Sequence, residues 1–261
     1  MAARPLEQTA LSLEWVYGVN TSIVNGVIDL SDDQRSSIFY ASAHTGVIFH
    51  TDTNTQTLLS GHRHAITAVA CTEDKQYVAT ADSGDQSAVI VWDSHNARPV
   101  FTKFNPHPNG VIAIAFAATG QFIVTLSNDE PPDQVLSIWD WNSMEDDPQP
   151  LASVLNPIGD KQLVINFNPL DHHQMLTNGR QNLIFWGWDE ATGGISYQSP
   201  GVSSADLKKQ IGRLEYSMYL PIADQAIVST SEGYVVHLER DQFALLKGLE
   251  PEHKPVKVIN L

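Results

Sequence analysis

The chain has 261 residues, 42% of them hydrophobic, enough to bury the core of one large all-β domain or two small ones. Against 30 Asp and Glu stand only 15 Lys and Arg; the net charge of −15 disfavours nucleic acid and membrane surfaces as partners. The one cysteine, Cys71, cannot form an internal disulfide, and the longest apolar run, VIAIAFAA at 111–118, is too short to span a bilayer, so a reducing cytoplasmic setting is expected.

Residues 1–10 read as an N-terminal tail without the apolar stretch of a signal peptide. Leu11, Leu13, Trp15, Tyr17 and Val19 then alternate at period two, which predicts a strand with one buried face. With SIFYA, GVIFH and QTLL it completes a four-stranded unit over about 11–60. The second unit, 61–105, holds AITAVAC, YVATA, AVIVW and PVFTKF, and the third, 106–156, holds VIAIAF, FIVTL, VLSIW and a run from Leu151 to Leu155. LVINF, QMLTN, LIFWGW and ISYQ make the fourth, 157–200. VSSADLKKQIGRLEY at 202–216 has room for a helical turn or two and equally for a loop. LEYSMYL, AIVS, YVVHL and FALL make the fifth, 210–248, and KPVKVINL within 249–261 reads as the first strand of a sixth. Runs rich in Val, Ile, Thr and aromatics between turn formers are the composition of antiparallel strands.

The units repeat. Trp92, Trp139 and Trp186 are spaced 47 residues apart, and weaker copies place His50 and His237 at the same point, 42 residues before and 51 after. Four strands per period describe a β-propeller blade, so 11–261 is expected to be a propeller segment of five blades plus one strand. Such a ring is open and leaves sheet edges and apolar blade faces uncovered, which suggests a fragment of a larger propeller.

His62, Thr80, Asp85 and Trp92 could be a relay with Thr80 as nucleophile, or a buried hydrogen-bond network. The same set recurs as His107, Thr125, Asp133 and Trp139, with both the histidines and the threonines 45 residues apart. An enzyme needs one active site, whereas a scaffold needs a brace in each blade. The residues are therefore read as structural, no catalytic activity is expected, and replacing Asp133 should destabilise the fold. The register is imperfect, because Asp85 precedes its tryptophan by seven residues and Asp133 by six, so Asp82 is an alternative carboxylate in the second unit.

His62 and His64, and the pair His172–His173, tempt a metal reading, but the second pair follows NPL in turn-like sequence and no second cysteine exists to support them. Neither metal nor cofactor is expected, and with no Gly-rich phosphate loop no small-molecule substrate is either. The acidic stretches SNDEPPD at 127–133 and MEDDPQP at 144–150 have the composition of solvated loops, where partners of a propeller can dock.

Gly61-His62 ahead of Trp92-Asp93, and His107 ahead of Trp139-Asp140, resemble the WD40 repeat; the third copy departs, with Gly187 after Trp186 and NGRQN in place of an acidic turn. Over nearly the whole chain ALSLEWVYGVN, YASAHTGVIF, YVATADSGDQSAVIVWD, VLSIWDW and VINFNP resemble the start of the WD-repeat region of the cilia- and flagella-associated protein 251 family. LEWVYG is also similar to the opening of EMAP-like microtubule-associated proteins. The ciliary resemblance implies a protein-binding scaffold of the motile axoneme, within a calmodulin- and spoke-associated complex at the base of radial spokes. Its partners would be other axonemal proteins, calmodulin among them. A general cytosolic WD40 adaptor, such as a ubiquitin-ligase substrate receptor, is the rival, although the arginine common in those receptors is replaced by His95 and Asn142.

Overall fold

The computed structural model describes residues 13–143, 145–201, 210–222, 225–241 and 252–261. These form twenty strands in five four-stranded antiparallel sheets, each a simple meander. The first sheet is β1 (Val27–Asp29), β2 (Ser37–Ser42), β3 (Thr45–His50) and β4 (Thr55–Ser60). The second is β5 (Ile66–Cys71), β6 (Tyr77–Asp82), β7 (Ala88–Asp93) and β8 (Pro99–Phe104), and the third β9 (Val111–Phe116), β10 (Phe122–Ser127), β11 (Val135–Asp140) and β12 (Ala152–Leu155). The fourth is β13 (Val164–Asn168), β14 (Asp171–Asn178), β15 (Leu183–Asp189) and β16 (Gly194–Gln198); the fifth is β17 (Leu214–Tyr219), β18 (Gln225–Thr230), β19 (Tyr234–Arg240) and β20 (His253–Asn260).

Each sheet packs face to face with the next. Four buried clusters join neighbours in order: Phe39, Ile48 and Trp92 between the first and second sheets, Val91, Ile123 and Trp139 between the second and third, Leu136, Met175 and Trp186 between the third and fourth, and Leu176, Val228 and Val236 between the fourth and fifth. This is why the middle strands read as unbroken apolar runs. In β7 (AVIVWD) and β10 (FIVTLS) nearly every residue is buried, because both faces of the strand meet another sheet. The fourth strands lie at the rim, and β16 and β20 are largely exposed.

The innermost strands β5, β9, β13 and β17 line a channel of about 460 Å³ that also takes in Ser22–Asn25. Polar bolts tie the sheets together. Arg35 donates to the Ser94 carbonyl (2.6 Å) and hydroxyl (2.8 Å), Thr67 donates to the Val111 carbonyl (2.5 Å), and Asn166 to the Ser217 carbonyl (2.8 Å). The ring is not closed, since none of the four buried clusters joins the fifth sheet to the first. Just ahead of the first sheet, Asn25 Nδ2 donates to the Tyr216 hydroxyl of β17 at 2.7 Å.

Two expectations are corrected. The alternation from Leu13 to Val19 does not make a strand. Leu13, Tyr17 and Val19 stay exposed, and Val16 is held by the side chain of Gln56, which accepts from its N–H (2.8 Å) and donates to its carbonyl (3.0 Å). The place of the first strand is taken by Val27–Asp29, which pairs with β2 through Ile28↔Phe39. At the other end, KPVKVINL does not open a sixth blade. Strand β20 pairs with β19 from Tyr234↔Asn260 to Arg240↔His253 and is the fourth strand of the fifth sheet. The tail at 1–10, FALL at 243–246 and most of the 202–216 segment lie outside the described residues; within that segment Gln210 and Ile211 have helical backbone.

Candidate functional site

The meander gives each sheet two ends. One carries the turns between second and third strands and the connections from each sheet to the next; the other carries the remaining turns. The braces anticipated from the repeat sit at the first of these ends.

In the second sheet, His62 lies in the connection before β5, Thr80 on β6 and Trp92 on β7, all buried. Trp92 Nε1 donates to Thr80 Oγ1 at 2.8 Å, and Thr80 Oγ1 stands 2.7 Å from His62 Nε2. His62 Nδ1 is 3.3 Å from Asp82 Oδ1. With the proton assigned to Nδ1, every group has a role: the indole donates to the hydroxyl, the hydroxyl to the imidazole, and the imidazole faces the carboxylate. The carboxylate is Asp82, not Asp85. Asp82 ends β6, is fully buried, and also accepts from the N–H groups of Ala88 (2.6 Å) and His64 (3.0 Å). Burial alone would raise its pKa, but the His62 ring and those two N–H groups outweigh it and hold the carboxyl below the ordinary value. Asp85 is exposed in the hairpin loop and contributes only its carbonyl, to His64 Nε2 at 2.7 Å. Gly110, at the entry to the third sheet, presses on this corner with φ +78°; a Cβ there would come within 2.3 Å of Ser83 Cα.

The third sheet repeats the chain without the carboxylate. Trp139 Nε1 donates to Thr125 Oγ1 (2.9 Å), and Thr125 Oγ1 lies 2.8 Å from His107 Nε2. Asp133 is not part of it: it is exposed in the β10–β11 loop, where its N–H donates to the Glu130 carbonyl. The buried acid there is Asp129, which accepts from the Asn109 side chain. At the position of Asp82, 45 residues on, stands Ser127, whose hydroxyl accepts from Val135 N–H at 2.9 Å and so closes the hairpin as Asp82 does with Ala88. Burial pushes the His107 pKa down to about 4 and outweighs the opposing charge of Asp129.

The fourth sheet, which lacks the histidine and the acidic turn of the WD pattern, rebuilds the brace with an amide. Trp186 Nε1 donates to Thr177 Oγ1 (3.0 Å), and that hydroxyl donates to Gln162 Oε1 (2.7 Å). Gln162 is fully buried, and its backbone N–H donates to Gln134 Oε1 (2.9 Å) in the third sheet. No spacing marks it, since Gln162 precedes its threonine by 15 residues where the histidines precede theirs by 18. His50 and His237, at the tryptophan position in the first and fifth sheets, bond neighbours of their own sheets: His50 meets Ser37 and Thr57, and His237 meets Gln225.

The second tryptophans of WDW and WGW pack between blades. Trp141 lies against Tyr77 (4.8 Å between centroids) and donates to the Gly120 carbonyl (2.8 Å), while Trp188 meets Phe122 edge-on at 5.0 Å. Cys71 is a free, partly buried thiol whose pKa burial raises to about 12, so it is not a nucleophile near neutral pH. The acidic stretches lie at opposite ends. Glu130 and Asp133 are exposed beside the braces, and Glu145, Asp146 and Asp147 are exposed at the far end. His172 and His173 begin β14 rather than lying in a turn, and Glu190 stands beside them.

Residues 11–261 match the model of the CFAP251 N-terminal domain. The chain belongs to this family. Among its relatives are cilia- and flagella-associated protein 251 of Chlamydomonas reinhardtii, 32% identical over 98% of this chain, and that of Tetrahymena thermophila, 35% identical over 97%. The mouse protein is 28% identical over 96%. These alignments cover 33%, 25% and 19% of the respective relatives, so the chain spans a third or less of their length. Mouse echinoderm microtubule-associated protein-like 4 is a more distant likeness, 24% identical over 68% of the chain. Membership of the CFAP251 family carries a ciliary or flagellar location.

Proposed function

We propose that this chain is a non-enzymatic protein-interaction scaffold of the motile ciliary axoneme, working in a calmodulin- and spoke-associated complex at radial-spoke bases. The observation that carries the reading is the family match across all five sheets. The chemistry of the braces supports it. Thr80 and Thr125 are fully buried, and their hydroxyls are occupied by an indole and an imidazole, so neither is free to attack a substrate. What the braces hold in place is the end that carries the inter-sheet connections and the exposed Glu130 and Asp133. With a net charge of −15 the chain repels acidic tubulin tails, so it attaches through other axonemal proteins.

Tagged full-length protein in a motile ciliated cell should run along the axoneme, and its affinity purification should bring down calmodulin and radial-spoke components. A purely nuclear or diffuse cytosolic signal would sink the axonemal reading and favour a general adaptor. A hydrolase screen tests the non-enzymatic part separately: turnover that Thr80→Ala abolishes while the fold survives would overturn it.

A further inference from the structure

At the end of the fourth sheet away from the braces, two strands bring imidazoles and a carboxylate together. β14 and β15 pair antiparallel through Gln174↔Gly187. Carried past that pair, the register sets the start of β14, Asp171–His173, alongside Trp188–Glu190 at the end of β15. His172 Nε2 lies 3.9 Å and His173 Nε2 3.8 Å from the same oxygen, Glu190 Oε2, and one ligand atom from each residue falls within 4.8 Å of the others.

The rings are supported from behind. His172 stacks on Phe122 of the third sheet (5.8 Å, 27°), and His173 stands 6.0 Å from Trp188. His173 Nδ1 is 3.2 Å from Asp171 Oδ1, so a proton held there leaves the Nε2 lone pair available on the Glu190 side. Metal-binding histidines are commonly oriented by such a carboxylate on the second ring nitrogen. Trp188, 4% exposed, lines the same cavity as Asp171 and His173, and its indole N–H has no acceptor among the described residues.

We propose that His172, His173 and Glu190 form a three-ligand site for a divalent transition metal of the zinc class, with Asp171 positioning His173 and the fourth coordination place open to solvent. Zinc bonds of about 2.0–2.2 Å put the ligand atoms of a tetrahedral site about 3.4 Å apart. The two His–Glu separations exceed that by about half an ångström and all three ligand atoms lie within 4.8 Å of one another, distances that side-chain rotations of three partly exposed residues can close. Two imidazole nitrogens and one carboxylate suit zinc, copper or nickel, whereas calcium and magnesium demand shells of oxygen. The net charge of −15 favours a cation at the surface.

The test is calorimetric titration of the whole chain with zinc at pH 7.5, with calcium and magnesium alongside and cobalt as a spectroscopic stand-in. Zinc should bind at a single saturable site, cobalt should give tetrahedral d–d bands, and calcium and magnesium should not compete. His173→Ala and Glu190→Gln should each weaken zinc binding by about tenfold or more, and Asp171→Asn by about tenfold, as removal of an orienting partner does. Circular dichroism of each variant checks the fold, which the partial exposure of all three residues protects. No zinc uptake, or uptake that His173→Ala and Glu190→Gln leave unchanged, would overturn the site. Equal competition by calcium would overturn the metal class.

Discussion

The second and third sheets carry the same histidine, threonine and tryptophan at the same spacing, yet they handle charge differently. His62 faces a buried carboxylate, Asp82, which three partners hold ionised. His107 has no carboxylate in contact, and burial pushes its pKa to about 4. The lesson is that the repeated part of the brace is the chain from indole to hydroxyl to imidazole, while the carboxylate is a local addition. The fourth sheet makes the same point, because Gln162 takes the place of the imidazole altogether.

The largest effect should come from Asp82→Ala. It leaves His62 and the N–H groups of Ala88 and His64 without their buried acceptor; at about 1–3 kcal/mol for each unsatisfied group, a loss of about 3–5 kcal/mol is expected in urea unfolding. If the midpoint barely moves, the contrast between the two sheets has no energetic content.

Next comes the pH response. The folded pKa of His107, about 4, lies below the ordinary 6.5, so between those values the unfolded chain binds more protons than the folded one. Stability from this group is therefore full above pH 6.5 and declines as pH falls towards 4, by an amount on the order of 3 kcal/mol. Asp82, whose pKa is lowered from 3.8, adds its own loss only below that value. His107→Gln, copying the amide of the fourth sheet, should flatten the slope between pH 6.5 and 4 while leaving the more acidic loss in place. An unchanged slope in stability measured against pH would assign the acid response elsewhere.

Gln162→Leu should cost about 1–3 kcal/mol, because the Thr177 hydroxyl and the Asp160 carbonyl lose their bonds to the buried amide. A loss as small as that of a surface change would show that the fourth sheet is braced by packing alone. The smallest effect belongs to Asp133→Ala. Its side chain is exposed and outside the network, so its unfolding midpoint should stay within about 0.5 kcal/mol of the parent, contrary to what the repeat spacing suggests.

Much of this architecture is legible in the chain. The tryptophan spacing of 47 residues and the histidine and threonine spacing of 45 mark the blades and three members of each full brace, because a repeated packing environment demands the same side chain at the same strand position. The acids are less legible. Asp82, Asp85, Asp129 and Asp133 all lie in or beside hairpin loops of different lengths, and which one turns inward depends on the loop's path. Gln162 carries no WD signature, and its role appears only when the connection after β12 brings it against β14.

The ends of the chain show the limit of periodicity. Leu13 to Val19 alternate as a strand should, but alternation specifies only that one face can be buried; with no sheet face covering them, Leu13, Tyr17 and Val19 remain exposed. KPVKVINL has strand composition, and composition cannot say which edge it joins; the free edge of β19 decided that. His172 and His173 were a turn-like pair until the β14–β15 register set Glu190 beside them. Local alternation and spacing settle which segments become strands and which positions repeat, since both act over a few residues. Which carboxylate meets an imidazole is settled only when strands far apart in the chain fall into register.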